Sequence, residues 1–326
     1  MQGYTEFELT LHLTFYAIKL IPLVFVGSFL ANLLLEAGVT GRIARLIFPL
    51  LRAGRLPGEV SLPLVTIPLE PRVGHGMLAS MLKSGVIGER EVFVSVFLVS
   101  PLAVIVFIVP RYYIPVIIPA LGVPIALLYL FFTLACSFAK MFTGILYGRV
   151  TSKVKNFKVA FKHETAGECL KSRLKSWRVV KSALKSSLSL TKKVSIRTFI
   201  VVLALMVVSY FGVFTFIEKA LHTVIGGAGL PARSVAIATT YAVSPIAGVV
   251  LAGAMLSKGE ISCKYVLTGL LLGSILFRLV SEYPRHSFPF YASVYPVKLA
   301  LKLTAVTIAV DLPVLLALLL AILLLM

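Results

Sequence analysis

Residues 67–76 read IPLEPRVGHG and set Glu70, Arg72 and His75 around Pro71 inside an otherwise apolar stretch. A carboxylate, a guanidinium and an imidazole beside a chain break can hold an anion or pass a proton. Arg72 and His75 are three residues apart and so share a helix face one turn from the proline. Glu70 is placed to neutralise Arg72, to accept a coupling proton or cation, or to cap the helix. The structural alternative is that Glu70 and Arg72 pair and merely hold the chain together. Other chemistry is sparse. There is no G-x-x-x-x-G-K-[ST], no H-E-x-x-H and no G-x-S-x-G, and Cys136, Cys169 and Cys263 form no metal or redox motif. The expectation is a protein that is not an enzyme and needs no metal or cofactor.

The surroundings explain why charge here matters. The chain is 59% hydrophobic, with a mean hydropathy of +0.98. Apolar runs near 10–36, 92–109, 113–146, 197–222, 263–282 and 291–326 approach or exceed the roughly 20 residues that span a bilayer. Continuous runs of this kind exclude a β-barrel, whose strands alternate. The fold class expected is an all-α polytopic membrane protein.

The formal charge of +19 is concentrated. Residues 149–197 carry 14 Lys and Arg against Glu164 and Glu168, a local excess of 12. A basic loop between spans marks the cytoplasmic side. No nucleic-acid-reading motif accompanies it, so nucleic acid is not an expected partner. Leu170, Leu174, Trp177, Leu184 and Leu188 recur among the basic residues at near-helical spacing. That suits an amphipathic helix on anionic lipid, while a solvated basic linker explains the composition equally well. The N-terminus, MQGYTEFELT, lacks the positive start of a signal peptide and is expected outside. The implied division is a membrane unit at 1–148, the linker at 149–196 and a second membrane unit at 197–326.

Residues 56–130 align without a gap on 230–304, at an offset of 174, with 20 identities in 75 positions. Pro57, Pro71, Pro110 and Pro115 fall on Pro231, Pro245, Pro284 and Pro289, and Gly74 and Gly85 on Gly248 and Gly259. Prolines and glycines dictate backbone shape, so two copies of one backbone plan are expected. Charge then sets orientation. Arg42, Arg45, Arg52 and Arg55 follow the first span and belong inside, which leaves 58–84 to enter and leave on one side. Two inverted repeats follow, each with about three spans and one re-entrant hairpin. If 58–84 crosses fully, the repeats are parallel instead.

Each hairpin has recognisable punctuation. Ser244-Pro245 opens a helix and Lys258-Gly259 closes it; Glu70-Pro71 and Ser84-Gly85 do the same in the first copy. Helices of about 14 residues reach roughly 21 Å, too short for a ~30 Å hydrocarbon core. The arms 58–69 and 232–243 would complete hairpins whose tips lie near the midplane. There, helix N-termini offer free N–H groups to anions. Ser244 and the N–H groups after Pro245 are therefore candidates beside Glu70, Arg72 and His75. VPRYYIP and YPRHSFP are read as tight turns at the membrane surface, with Arg111 and Arg285 reaching headgroups. The competing reading is a broken helix with both arginines turned to a cavity. Glu282 is a candidate gate partner for Arg285 or His286. Asp311, in VTIAVDLPVLL, is expected to face the protein interior, and Lys298 to snorkel.

A half-helix opening at proline and ending KSGVI or SKGEI, followed by an apolar span and P-R-x-x-x-P, resembles the nucleoside-recognition, or Gate, domain membrane proteins. The likeness covers about 56–145 and 230–320. Related domains occur in concentrative nucleoside transporters and in the membrane part of the bacterial ferrous-iron transporter. The resemblance implies paired re-entrant hairpins and a transport role. Where the iron transporter has a cysteine near its hairpin, this chain has Glu70-Pro71-Arg72-Val73-Gly74-His75, and it lacks a GTP-binding domain, which argues against iron.

The function expected is a secondary transporter in the cell membrane that moves a polar, anionic solute by alternating access between the repeats. The solute would be nucleoside-like, a phosphorylated metabolite, or a lipid headgroup as in a flippase. Anionic lipids at 149–196 and a second copy of the chain are further candidate partners. A non-transporting scaffold subunit that binds a partner through the linker is the alternative. An intramembrane lipid enzyme lacks a nucleophile–base or metal set.

Overall fold

The computed structural model describes residue 47, residues 49–151 and residues 230–325, with 181, 184, 185 and 188 as isolated helical positions. The expected spans at 10–36 and 197–222, and nearly all of the 149–196 linker with its amphipathic helix, lie outside the described residues. Within them the protein is all-helical. In chain order the helices are α1 (Ser61–Thr66, after a 3₁₀ turn at Gly58–Val60), α2 (Pro71–Lys83), α3 (Glu89–Leu98) and α4 (Ser100–Leu121). They continue with α5 (Val123–Thr151), α6 (Ala232–Val243), α7 (Pro245–Ser257), α8 (Cys263–Val294) and α9 (Val297–Leu325).

Helices α4, α5, α8 and α9 are each long and apolar enough to cross a bilayer. This is a multi-pass membrane protein. The two hairpins, α1–α2 and α6–α7, are built as their punctuation predicts. Pro71 and Pro245 each occupy the first helical position after an extended residue. Gly85 and Gly259, at φ +72° and +68°, end the two helices in the left-handed region. At 13 residues apiece, α2 and α7 reach about 20 Å. Each hairpin closes through a glycine. A Cβ on Gly74 would lie 2.5 Å from Ile67 Cγ1, and one on Gly248 would lie 2.5 Å from Tyr241 Cβ. Only glycine lets the arms touch backbone to backbone, as close helix packing in lipid requires.

The span boundaries depart from the sequence reading at the prolines. The run at 92–109 divides between α3 and α4 because Pro101, near the start of α4, cannot continue the hydrogen-bond ladder. The turns expected at 110–115 and 284–289 are not turns. Val104–Ile117 and Arg278–Ser287 are wound in wide, π-helical turns that carry Pro110, Pro115 and Pro284 inside one continuous helix. Widening the coil lets a proline's missing N–H and bulky ring be accommodated without a break. The chain reverses later, at Gly122 (φ +77°) and at Tyr295-Pro296. Arg111 and Arg285 therefore sit within helices and not at surface corners.

Two buried clusters form the interior. One joins α6, α7 and the first half of α8 to the end of α4, to α5 and to Leu315 and Ile322 of α9. The other joins α1, α2, α3 and the start of α4 to Tyr295, Leu299 and Leu303. Each hairpin is thus packed against helices from the opposite half of the sequence.

Candidate functional site

A cavity of about 830 Å³ opens among α4, α5, α8 and α9, with the tip of the α6–α7 hairpin in its wall. The break between α6 and α7 places Ser244 at the N-cap of α7, where its Oγ accepts from the Ala247 N–H at 3.5 Å. Ser244, Pro245, Ile246 and Ala247 line the cavity, so the positive end of the α7 dipole borders it.

The opposite wall is charged. Asp311 of α9 is 1% exposed. Its Oδ2 accepts from Arg278 Nη1 at 2.6 Å, from Lys140 Nζ at 3.2 Å and from the Tyr283 hydroxyl at 3.2 Å. Arg278 is the first residue of the wide turns in α8, and Lys140 lies in the middle of α5. One carboxylate therefore serves two cations inside a membrane protein. Such groups are costly in hydrocarbon and are retained where they face a cavity and pair. Tyrosines complete the lining. Tyr129 and Tyr241 join hydroxyl to hydroxyl at 2.6 Å, bridging α5 to α6, and Tyr113 meets Thr133 Oγ1 at 2.5 Å. Aromatic rings with fixed hydroxyls thus stand beside paired charges on the cavity lining.

Of the candidates from sequence, Ser244 and Asp311 line this cavity. Asp311 faces the interior as expected. The other five are elsewhere. Glu70 is exposed at the α2 N-cap without capping it, Arg72 is exposed, and no ion pair joins them. His75 is buried, with Nδ1 2.8 Å from the Tyr295 hydroxyl and its ring edge-on to Phe290, Tyr291 and Tyr295. It anchors the first hairpin to the segment that joins α8 to α9, and Tyr291 also lines the cavity. The Arg111 guanidinium stacks 3.9 Å above the Phe107 ring and is not on the cavity wall. Arg285 and His286 are exposed, and neither pairs with Glu282, which instead accepts from Ser287 Oγ at 3.3 Å. The Glu282 gate pair is therefore not formed. Lys298 is exposed, as a snorkelling lysine would be.

Lys140 and Arg278 were missed. Both are lone cations inside apolar runs, FAKMF and LFRLV, and the rule that flagged Asp311 applies equally to them.

Three uncharacterized proteins of Methanocaldococcus jannaschii are similar to this chain over nearly its whole length. One is 26% identical over 293 residues, covering 90% of this chain and 88% of the relative. A second is 24% identical over 304 residues (91% and 92%), and a third 25% identical over 300 residues (89% and 92%). The chain is their distant homologue. No family model matches it, and no solved structure does.

Proposed function

We propose that this protein is a secondary transporter for a polar organic anion, built from two inverted repeats that each carry a re-entrant hairpin. The observation that carries the reading is the cavity itself. A helix N-terminus at Ser244–Ala247, a pair of partly buried cations and a tyrosine-rich wall converge on one space of about 830 Å³. Discontinuous helices that aim N-termini at a central site are the means by which many carriers hold an anionic group.

The repeat reading is supported by element boundaries that recur at the offset of 174. Pro71 and Pro245 open the short helices, Lys83 and Ser257 close them, and Glu89 and Cys263 open the next. The wide turns start at Val104 and Arg278, and the last long helices at Val123 and Val297. Ile67 and Tyr241, which press on the hairpin glycines, also differ by 174. The likeness of these segments to Gate-domain proteins points the same way. Of the residues named from sequence, Ser244 of the neutral second hairpin and Asp311 border the cavity, and Glu70 and Arg72 do not.

The test is reconstitution into liposomes and uptake of orotate, uridine monophosphate and inorganic phosphate, with neutral uridine as control. A short-chain fluorescent phosphatidylglycerol, assayed for scrambling, distinguishes a lipid headgroup from a free solute. Anion uptake above empty liposomes that is lost in Arg278→Gln is the expected result. Absence of flux for every anionic probe overturns the reading.

A further inference from the structure

Among the described residues, four charged side chains line the cavity: Lys140 and Arg278 against Asp311 and Glu282. With all four ionised, their charges cancel. Asp311 uses its two oxygens unequally. Oδ2 takes all three hydrogen bonds, from Arg278, Lys140 and Tyr283. Oδ1 is buried and accepts none; Lys140 Nζ lies 3.2 Å away but is not aligned to donate to it.

A solute carboxylate or phosphate entering this space needs the same two cations, so it competes with Asp311. It also adds a net negative charge where burial penalises net charge. A proton on Oδ1 answers both difficulties. It neutralises Asp311, loosens its hold on Arg278 and Lys140, and restores the zero sum with the solute bound. Resting on the transport reading above, we propose that Asp311 is the coupling carboxylate and that one proton enters with each anion, making the protein a proton–anion symporter. The proton passes from the aqueous side to which the cavity is open, forms an O–H bond at Oδ1, and leaves as the anion is released on the other side.

The groups around Asp311 fit this assignment. Lys140 and Cys136 act on it from α5, and Arg278, Tyr283 and Tyr291 from α8. Helix α3 meets α9 further along, where Lys302 lies 5.1 Å from the Phe93 ring centroid, nine residues from Asp311. Glu282 is the other acid on the cavity wall, and it already accepts from Ser287.

Isothermal titration of detergent-purified protein with orotate, in two buffers of different ionisation heat, tests this directly. The orotate carboxylate stays ionised near neutral pH, so proton uptake reports on the protein. About one proton should be taken up per orotate bound. In proteoliposomes, an inward proton gradient should drive orotate accumulation up to about tenfold per pH unit at one-to-one coupling. Asp311→Asn should bind orotate without proton uptake and exchange it without gradient-driven accumulation. Proton uptake that persists in Asp311→Asn overturns the assignment of Asp311. Wild-type orotate binding or exchange indifferent to protons overturns symport while leaving anion transport standing, and needs no variant to fold. No binding or flux of orotate, uridine monophosphate or phosphate removes the anion reading and this inference together.

Discussion

Asp311 and Arg278 meet at 2.6 Å with side chains 2% and 19% exposed, so the pair bears on the stability of the fold. Removing one partner of a buried pair leaves the other poorly compensated, which costs more than the intact pair contributes. Arg278→Gln is expected to destabilise the protein by on the order of 3 kcal/mol, read as a loss of thermal stability in detergent. Adding Asp311→Asn should recover more than about 1 kcal/mol of that loss. Strictly additive losses would show that the two are not coupled. The charges were visible in the sequence one by one, but their meeting was not. Lys140 and Asp311 are 171 positions apart, and only the packing of α5 on α9 brings them together. Glu70, Arg72 and His75 are neighbours in sequence, yet they divide between surface and interior according to which side of α2 each occupies. Proximity along the chain overstated their cooperation.

At the level of elements, the short helices and their ends were readable because proline and glycine restrict backbone geometry locally. Ser244-Pro245, Gly85 and Gly259 do what their residue types require. The long helices were less readable: a proline ends an α-helix by default, and nothing local announces that Pro110 and Pro284 sit in widened turns. The hairpin glycines yield a direct check. Gly248→Ala places a Cβ 2.6 Å from Tyr241 Cα, so the arms must part and Tyr241 must shift from Tyr129. A loss of about 1–3 kcal/mol is expected, as for other overpacked sites. Gly76→Ala, in open space on α2, should be neutral or stabilising by up to about 1 kcal/mol. Equal effects of the two substitutions in thermal unfolding would contradict the close contact. The start of α3 responds to pH instead. Burial works to raise the Glu91 carboxyl, but hydrogen bonds from Arg90 at 2.8 Å and from the Gly88 N–H at 2.9 Å, with the Arg90 charge, prevail and hold it below the usual range. A lowered carboxylate stabilises the fold above its unfolded value and loses that contribution as pH falls through the folded one. Amides at the start of α3 should therefore exchange faster, after correction for intrinsic rates, as pH drops through the acidic range. Glu91→Gln should flatten that dependence; an unchanged profile would remove Glu91 as its cause.

Across the described residues, each hairpin packs against helices of both halves, and the cavity wall is shared between the two halves. That arrangement is what a carrier needs if moving one half against the other is to alter access to a common site. It also makes the orientation of the halves decisive. A re-entrant first hairpin reverses the second half relative to the first, and the two post-hairpin corners, at 86 and 260, then lie on opposite faces. A first hairpin that crosses puts both corners on one face. Val86 is 56% exposed and suits a single-cysteine probe, and Glu260, partly exposed just beyond Gly259, supplies the second position. The background must lack Cys263, which is exposed three residues from the second probe, as well as Cys169 and Cys136. A membrane-impermeant maleimide should then label Val86→Cys only in everted vesicles, from the cytoplasmic face, and Glu260→Cys only in right-side-out vesicles, from the outside. Labelling of both from one face would make the halves parallel and remove the symmetry on which alternating access between inverted repeats depends.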